Sequence, residues 1–212
     1  MDEPEIIDRV RAWLGTGAIN IFGPPFAGKD TQGRRLAEAL GAKLLGGGDI
    51  LRGSDMPDSV KSLMRAGELI PTNAYFELVL PFLKQPEFAG RPLILSSVGR
   101  WHGEEAGVLE ATSAAGHPIR AAFYLNIDEP VVWERWEHSD SRRSRGKRAD
   151  DSYEVLQIRL EEFRSKTLPV IEFYRSQNLL IEIDSNRPTD TVTKDILGRL
   201  LRFSESKDRS IR

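Results

Sequence analysis

Between Phe22 and Gln32 the chain reads FGPPFAGKDTQ, in which Gly23, Gly28 and Lys29 fit the pattern G-x-x-x-x-G-K. A short apolar run, Ala18 to Phe22, precedes it, and Leu36, Ala37 and Leu40 follow at helical spacing. Strand, glycine loop and helix in that order make an anion cradle. Loop amides and the positive end of the helix converge on phosphate oxygens, and the lysine reaches the same group. The order also constrains the fold, because a strand that hands over to a helix meets its next strand through a crossover, which makes the pairing parallel. An ordinary glycine-rich turn before a helix is the alternative reading of these residues.

Other short apolar runs read as buried strands: AKLLG (42–46), PLILSS (92–97), IRAAFYLNI (119–127) and LLIEID (179–184). Between them, helical patterns are expected over about 58–66, 72–84, 104–115, 129–138, 151–167 and 189–203, with Pro169 breaking the fifth after Leu168. Ile6, Ile7, Val10, Trp13 and Leu14 predict an extra amphipathic helix over 4–14, and the polar end SESKDRSIR reads as a frayed tail. Alternating strands and helices predict a parallel α/β sheet, and the G-x-x-x-x-G-K loop after the first strand makes the expected fold the three-layer P-loop nucleoside triphosphate hydrolase type: a central parallel sheet of about five strands, flanked by helices, with ligands at the carboxyl ends of the strands.

At 212 residues, 40% of them hydrophobic, the chain has enough apolar material for one core, so residues 1–212 are expected to form a single domain. A net charge of -2 gives no overall pull toward nucleic acid polymers or anionic membranes, and neither is expected as a partner. No apolar stretch approaches the ~20 residues of a membrane span, and MDEPEIIDRVRAWLGTG lacks the order of a secretory signal. The lack of cysteine rules out disulfides and thiol catalysis, and fits a cytoplasmic setting. His102, His117 and His138 are scattered without metal-ligand spacing, and no catalytic histidine is expected.

GPPFAGKDTQ (23–32), GGGDILR (46–52), MRAGELIP (64–71), SSVGRW (96–101), RADD (148–151) and Arg159 follow one another in an order that resembles the adenylate kinase family of nucleoside monophosphate kinases, over roughly residues 18–203. The resemblance implies Mg2+-dependent, reversible transfer of the terminal phosphoryl group of ATP to AMP or another nucleoside monophosphate. It implies a donor site at Gly23, Pro24, Ala27, Gly28, Lys29, Asp30 and Thr31, with Arg135 stacked on the donor base. It implies an acceptor site at Gly48, Asp49, Arg52 and Ile70, in an insert over about 48–75, together with Arg100 and Glu104. Lys29, Arg100, Arg148 and Arg159 are the implied catalytic groups, and RWEHSDSRRSRGKR (135–148) corresponds to a short lid, about 136–148, without a zinc-bearing lobe. Such a reaction suits arginine, whose planar fork can hold phosphate oxygens in pairs and follow charge through the transition state. A monomer that handles small nucleotides is expected.

The chain departs from the family pattern in ways that bear on chemistry. Ser96 stands where the family has a carboxylate that orients the waters of the metal, and Asp30 stands where it has glycine. Asp30 is therefore a candidate Mg2+ ligand, direct or through water, with simple complementation of the positive helix end as the alternative. Phe26 replaces a loop glycine, so the backbone there is expected to avoid conformations that glycine alone takes readily. Glu104 falls near the glutamine that reads adenine; a carboxylate only accepts, which leaves AMP, GMP and pyrimidine nucleotides open as acceptors. A P-loop kinase of a small non-nucleotide metabolite and a non-catalytic nucleotide-binding protein remain as rival readings.

Overall fold

The computed structural model describes residues 2–47, 58–66, 83, 85–141 and 152–210. Five strands form one sheet: β1 (Ala18–Phe22), β2 (Lys43–Gly46), β3 (Leu93–Ser96), β4 (Ile119–Asn126) and β5 (Leu180–Asp184). Their order is β2-β3-β1-β4-β5 and every pairing is parallel. All five carboxyl ends therefore lie along one edge. Because β1 has β3 on one side and β4 on the other, chain progression reverses at β1, and the crevice of the sheet opens at Phe22.

β1 is buried along its whole length, as a strand covered on both faces must be. Side-chain alternation divides its residues between two cores. Ile19 and Ile21 join Leu36, Leu40, Ile94, Phe123, Ile196 and Leu200 on one face, while Ala18 and Phe22 join Leu93, Leu95, Val108, Ile171 and Tyr174 on the other. Each fully buried aliphatic or aromatic side chain stabilises the sheet by about 2 kcal/mol. The first face is covered by α1 (Glu3–Leu14), α2 (Lys29–Leu40) and α8 (Thr189–Ser210), with α5 (Glu129–Ser141) also contributing. The second is covered by α4 (Glu105–Ala114) and α7 (Leu168–Ser176).

α1 starts on an Asp2 cap whose side chain accepts from the Glu5 amide, and Arg11 near its end donates to the carbonyls of Ala39 (2.7 Å) and Leu40 (3.3 Å). Those carbonyls belong to the last turn of α2, which has no later amide of its own to satisfy them. α3 (Asp58–Ala66) touches α6 (Tyr153–Glu162).

Two expectations need correction. Pro169 does not break the helical path. The chain passes from α6 into a single π turn, Phe163–Thr167, closed by the Leu168 amide on the Phe163 carbonyl, and α7 begins at once. Pro169 is thereby placed in the first turn of a new helix, where its missing N–H leaves nothing unpaired. Nor is the carboxyl end frayed up to Ser210. α8 runs that far because buried Ser204 donates to the Leu201 carbonyl (2.7 Å), Glu205 pairs with Arg9 of α1 (3.0 Å), and Phe203 meets the edge of Trp13. The expected helix over 72–84 lies outside the described residues apart from Leu83, and so does the expected lid beyond Ser141.

Candidate active site

The loop after β1 is built by close approach. A Cβ on Gly23 would lie 2.9 Å from the Leu125 carbonyl oxygen, so only glycine lets the strand end press against β4. Gly28 takes φ 92° at the entrance to α2, a conformation that glycine adopts without the steric penalty of a side chain. Phe26 corrects the sequence expectation: its φ is 61°, in the left-handed region. That conformation costs an L residue about 1 kcal/mol. Partial burial of the ring against the core formed by α2, α5 and α8 favours it, and so does the capture of the loop's carbonyls by side chains.

Four carbonyls of this loop have such partners. The Lys29 ammonium folds back to donate to Gly23 and Pro24, each at 2.7 Å. Arg135 of α5 donates through Nη1 to Phe26 (3.1 Å), and Ser185 at the end of β5 donates through Oγ to Ala27 (2.7 Å). Arg135 also donates through Nη2 to the carbonyl of Ser185 (2.6 Å) and, more weakly, to that of Arg187 (3.5 Å). Burial pulls the Arg135 guanidinium below its ordinary pKa, with Glu134 opposing the shift. The first turn of α2 is tied down as well, since Gln32 donates to the Thr189 carbonyl (3.0 Å) and accepts from Thr193 (2.8 Å).

Asp30 and Ser96 meet. The Ser96 hydroxyl, nearly buried at the end of β3, donates to Asp30 Oδ1 at 3.0 Å, and Asp30 lies in the first turn of α2. A carboxylate and a hydroxyl beside the loop after β1 are hard oxygen donors of the kind that Mg2+ accepts, and that ion commonly binds through one or two carboxylates with substrate phosphates completing its shell. Among the described residues there is no group of three or more His, Asp or Glu that could hold a metal ion.

The loop after β3 carries Arg100, half-buried. It is anchored by Asn20 of β1, fully buried, which donates to the Val98 carbonyl (2.7 Å) and accepts from the Val98 amide (3.3 Å). From the other side, Thr167 of the π turn donates to the Arg100 carbonyl (3.1 Å), and the Lys166 ammonium lies 4.3 Å from the centre of the Trp101 ring. Arg159 is half-buried on α6, in the last turn before that π segment. One helical path therefore carries Arg159 and braces the loop of Arg100.

Glu104 is 2% exposed and accepts from the Trp101 amide (3.0 Å). Glu105 accepts from the Gly103 amide (2.6 Å) and faces His102 (3.1 Å). Both carboxylates brace the 101–103 turn. Gly48, Asp49, Arg52, Ile70 and Arg148 lie outside the described residues. The other histidines have structural partners, His117 at the Thr16 carbonyl (2.8 Å) and His138 at the Glu134 carbonyl (2.7 Å).

Three residues that hold the site together were not singled out from sequence: Asn20, Thr167 and Ser185. A polar residue inside an otherwise apolar strand was a usable signal for Asn20. Ser185 follows directly on a strand whose carboxyl end must face the cradle. Thr167 had no signal, because its role depends on the π turn.

Comparison with known proteins agrees with this geometry. A family model described as adenylate kinase matches residues 21–179. A curated adenylate kinase of Parvibaculum lavamentivorans is 31% identical over 181 residues, covering 83% of this chain and 88% of that protein. One from Caulobacter sp. strain K31 is 33% identical, covering 83% and 94%, and one from Methylobacterium radiotolerans is 30% identical over 190 residues, covering 86% and 94%.

Proposed function

The chain belongs to the adenylate kinase family of nucleoside monophosphate kinases, which use ATP as phosphoryl donor with Mg2+, and from that premise we propose that it transfers the γ-phosphoryl group of ATP reversibly to AMP. An oxygen of the acceptor phosphate forms a bond to the γ-phosphorus while the bond from that phosphorus to the β–γ bridging oxygen breaks, and each nucleotide leaves as a diphosphate. Positioning and charge stabilisation supply most of the catalysis in such a transfer.

In this reading Gly23, Pro24, Ala27, Gly28 and Thr31 cradle the donor. Lys29 leaves the Gly23 and Pro24 carbonyls for the phosphates when a nucleotide binds. Arg52 and Arg100 hold the acceptor phosphate with Gly48, Asp49 and Ile70 around it, and Arg148 and Arg159 follow the charge on the moving group. Asp30, oriented by Ser96, holds Mg2+ directly or through water, and the ion supplies neutralisation of phosphate charge when bound. The protein is read as a cytoplasmic monomer of one domain, with an acceptor insert over about 48–75 and a short lid over about 136–148.

The observation that carries the reading is the contact of Asp30 with Ser96 beside the Lys29 loop, at the point where strand order reverses. The test measures ADP formation from ATP with AMP, GMP, CMP and UMP, each with and without Mg2+. AMP is expected to give the highest kcat/KM, and Mg2+ to be required. Equal rates for all four acceptors would remove any base-reading role from Glu104. Replacement of Asp30 by Asn should raise the Mg2+ concentration needed for half-maximal rate, and should weaken Mn2+ binding to the protein–nucleotide complex as read by electron paramagnetic resonance.

A further inference from the structure

The carbonyls of the loop after β1 pose a problem for any anion site. A peptide plane that aims its N–H at a phosphate aims its oxygen away, and the reverse orientation sets a negative dipole against a negative ligand. Lys29 holds the Gly23 oxygen only while the ammonium stays folded back, whereas the Pro24 oxygen also accepts from the Ala27 amide (3.3 Å). Phe26 and Ala27 have partners that do not belong to the loop at all. Arg135 reaches Phe26 from 109 residues further along the chain, and Ser185 reaches Ala27 from 158 residues away.

These two side chains form a closed frame. Arg135 Nη1 bonds the Phe26 carbonyl, Arg135 Nη2 bonds the Ser185 carbonyl, and Ser185 Oγ bonds the Ala27 carbonyl. The frame is rooted in the sheet, because the Ser185 amide continues the β4–β5 pairing onto the Asn126 carbonyl (2.7 Å). It closes on the one non-glycine residue of the loop whose φ is positive, Phe26, and a strained residue persists only where its surroundings over-determine it.

We propose that Arg135 and Ser185 are positioning residues for phosphate binding: Ser185 holds the Ala27 carbonyl outward so that the Gly28 amide of the same peptide is presented to a bound polyphosphate, and Arg135 fixes the neighbouring Phe26 peptide, whose Ala27 amide closes the turn on Pro24. This gives Arg135 a task directed at the phosphates, different from contact with the donor base, and gives Ser185 a role that the sequence did not suggest. It rests on the reading that this loop binds the triphosphate of the donor. It also links the loop to α5, whose last residue, Ser141, directly precedes 142–151 in the chain.

Inorganic tripolyphosphate separates the possibilities because it has the phosphates and no base. Its affinity for the full-length protein would be measured by calorimetry and compared with that of ATP for the unaltered chain, Ser185→Ala and Arg135→Lys. Kinetics would be run alongside, and melting temperature recorded for each protein. Loss of one clamp is expected to weaken tripolyphosphate and ATP in parallel, by about tenfold. KM for ATP should rise while KM for the monophosphate stays unchanged.

A variant that weakens ATP but leaves tripolyphosphate unaffected would assign Arg135 to the base and overturn the proposal. Equal weakening at donor and acceptor sites would show a general structural effect and overturn it too. Absence of tripolyphosphate binding to the unaltered protein would defeat the underlying reading of the loop, an outcome distinct from either. If Arg135→Lys does not fold, Ser185→Ala removes a single oxygen and decides alone.

Discussion

The loop after β1 and the loop after β3 turn at the same edge of the sheet, and each contains a non-glycine residue with positive φ, Phe26 at 61° and Ser97 at 55°. They are held in opposite ways. The first is gripped from outside by Arg135 and Ser185, which reach it from α5 and the end of β5. The second is gripped from inside by Asn20 at the centre of the sheet, with the Ser97 amide on the Ile21 carbonyl (3.0 Å). A half-exposed guanidinium can be altered and the core will stand, whereas a buried amide cannot be removed without leaving the Val98 N–H and C=O unsatisfied in a dry interior. Function and stability should therefore separate between two loops that share one edge.

The largest effect expected from that contrast lies in the first loop. Lys29→Met should lower kcat/KM by roughly a thousandfold or more, since in the proposed function this cation leaves its carbonyl partners and meets developing phosphate charge, with little change in melting temperature. A variant that melts much earlier would show that the folded-back ammonium matters mainly for the fold. In the second loop the balance should reverse. Asn20→Leu should destabilise the protein by about 2–3 kcal/mol, because two backbone groups lose their partners, and denaturant titration would measure it. Unchanged stability would show that the second loop is as tolerant as the first.

The smallest effect concerns acid, and sharpens the comparison at the β5–α8 junction that supports the first loop. Burial raises the Asp195 carboxyl, but hydrogen bonds from Arg187 and Arg199 outweigh it and hold the pKa below its usual value. A depressed folded pKa contributes stability that is present above the unfolded value and is lost as pH falls through the folded one. Asp195→Asn should therefore lower stability at neutral pH by about 1 kcal/mol or less, and the gap between variant and unaltered protein should close below about pH 4. A gap that stays constant down to pH 2 would show that charge is not what Asp195 contributes.

Much of the architecture was legible in the sequence because buried parallel strands are short apolar runs with little else to be. All five strands fall within a residue or two of their expected places. The loop between β1 and α2 was legible for a different reason, since the spacing of Gly23, Gly28 and Lys29 calls for a tight turn between a strand and a helix, and the backbone there takes that form. Phe26 was misread because residue preference was weighed without the side chains that hold its carbonyl, and those come from the far half of the chain. Pro169 was misread because a proline looks the same whether it ends one helix or opens another. The end of α8 was misread because SESKDRS is polar as a string, yet Ser204 donates back to Leu201 in the same helix and Glu205 pairs with Arg9 once α1 is in place. Composition reports what a segment is made of. It does not report what arrives beside it.

The π turn at Phe163–Thr167 inserts one more residue than an α-helix would use over the same rise. Deleting a residue there to restore regular winding would rotate everything downstream by about 100°. Val170, Ile171 and Tyr174 would swing off the sheet, and Thr167 would lose its hold beneath Arg100. Chain length in this stretch is thus a phase setting for the whole carboxyl half, and insertions or deletions should be tolerated in the turn at 177–179, between α7 and β5, far more readily than within the continuous path from α6 to α7.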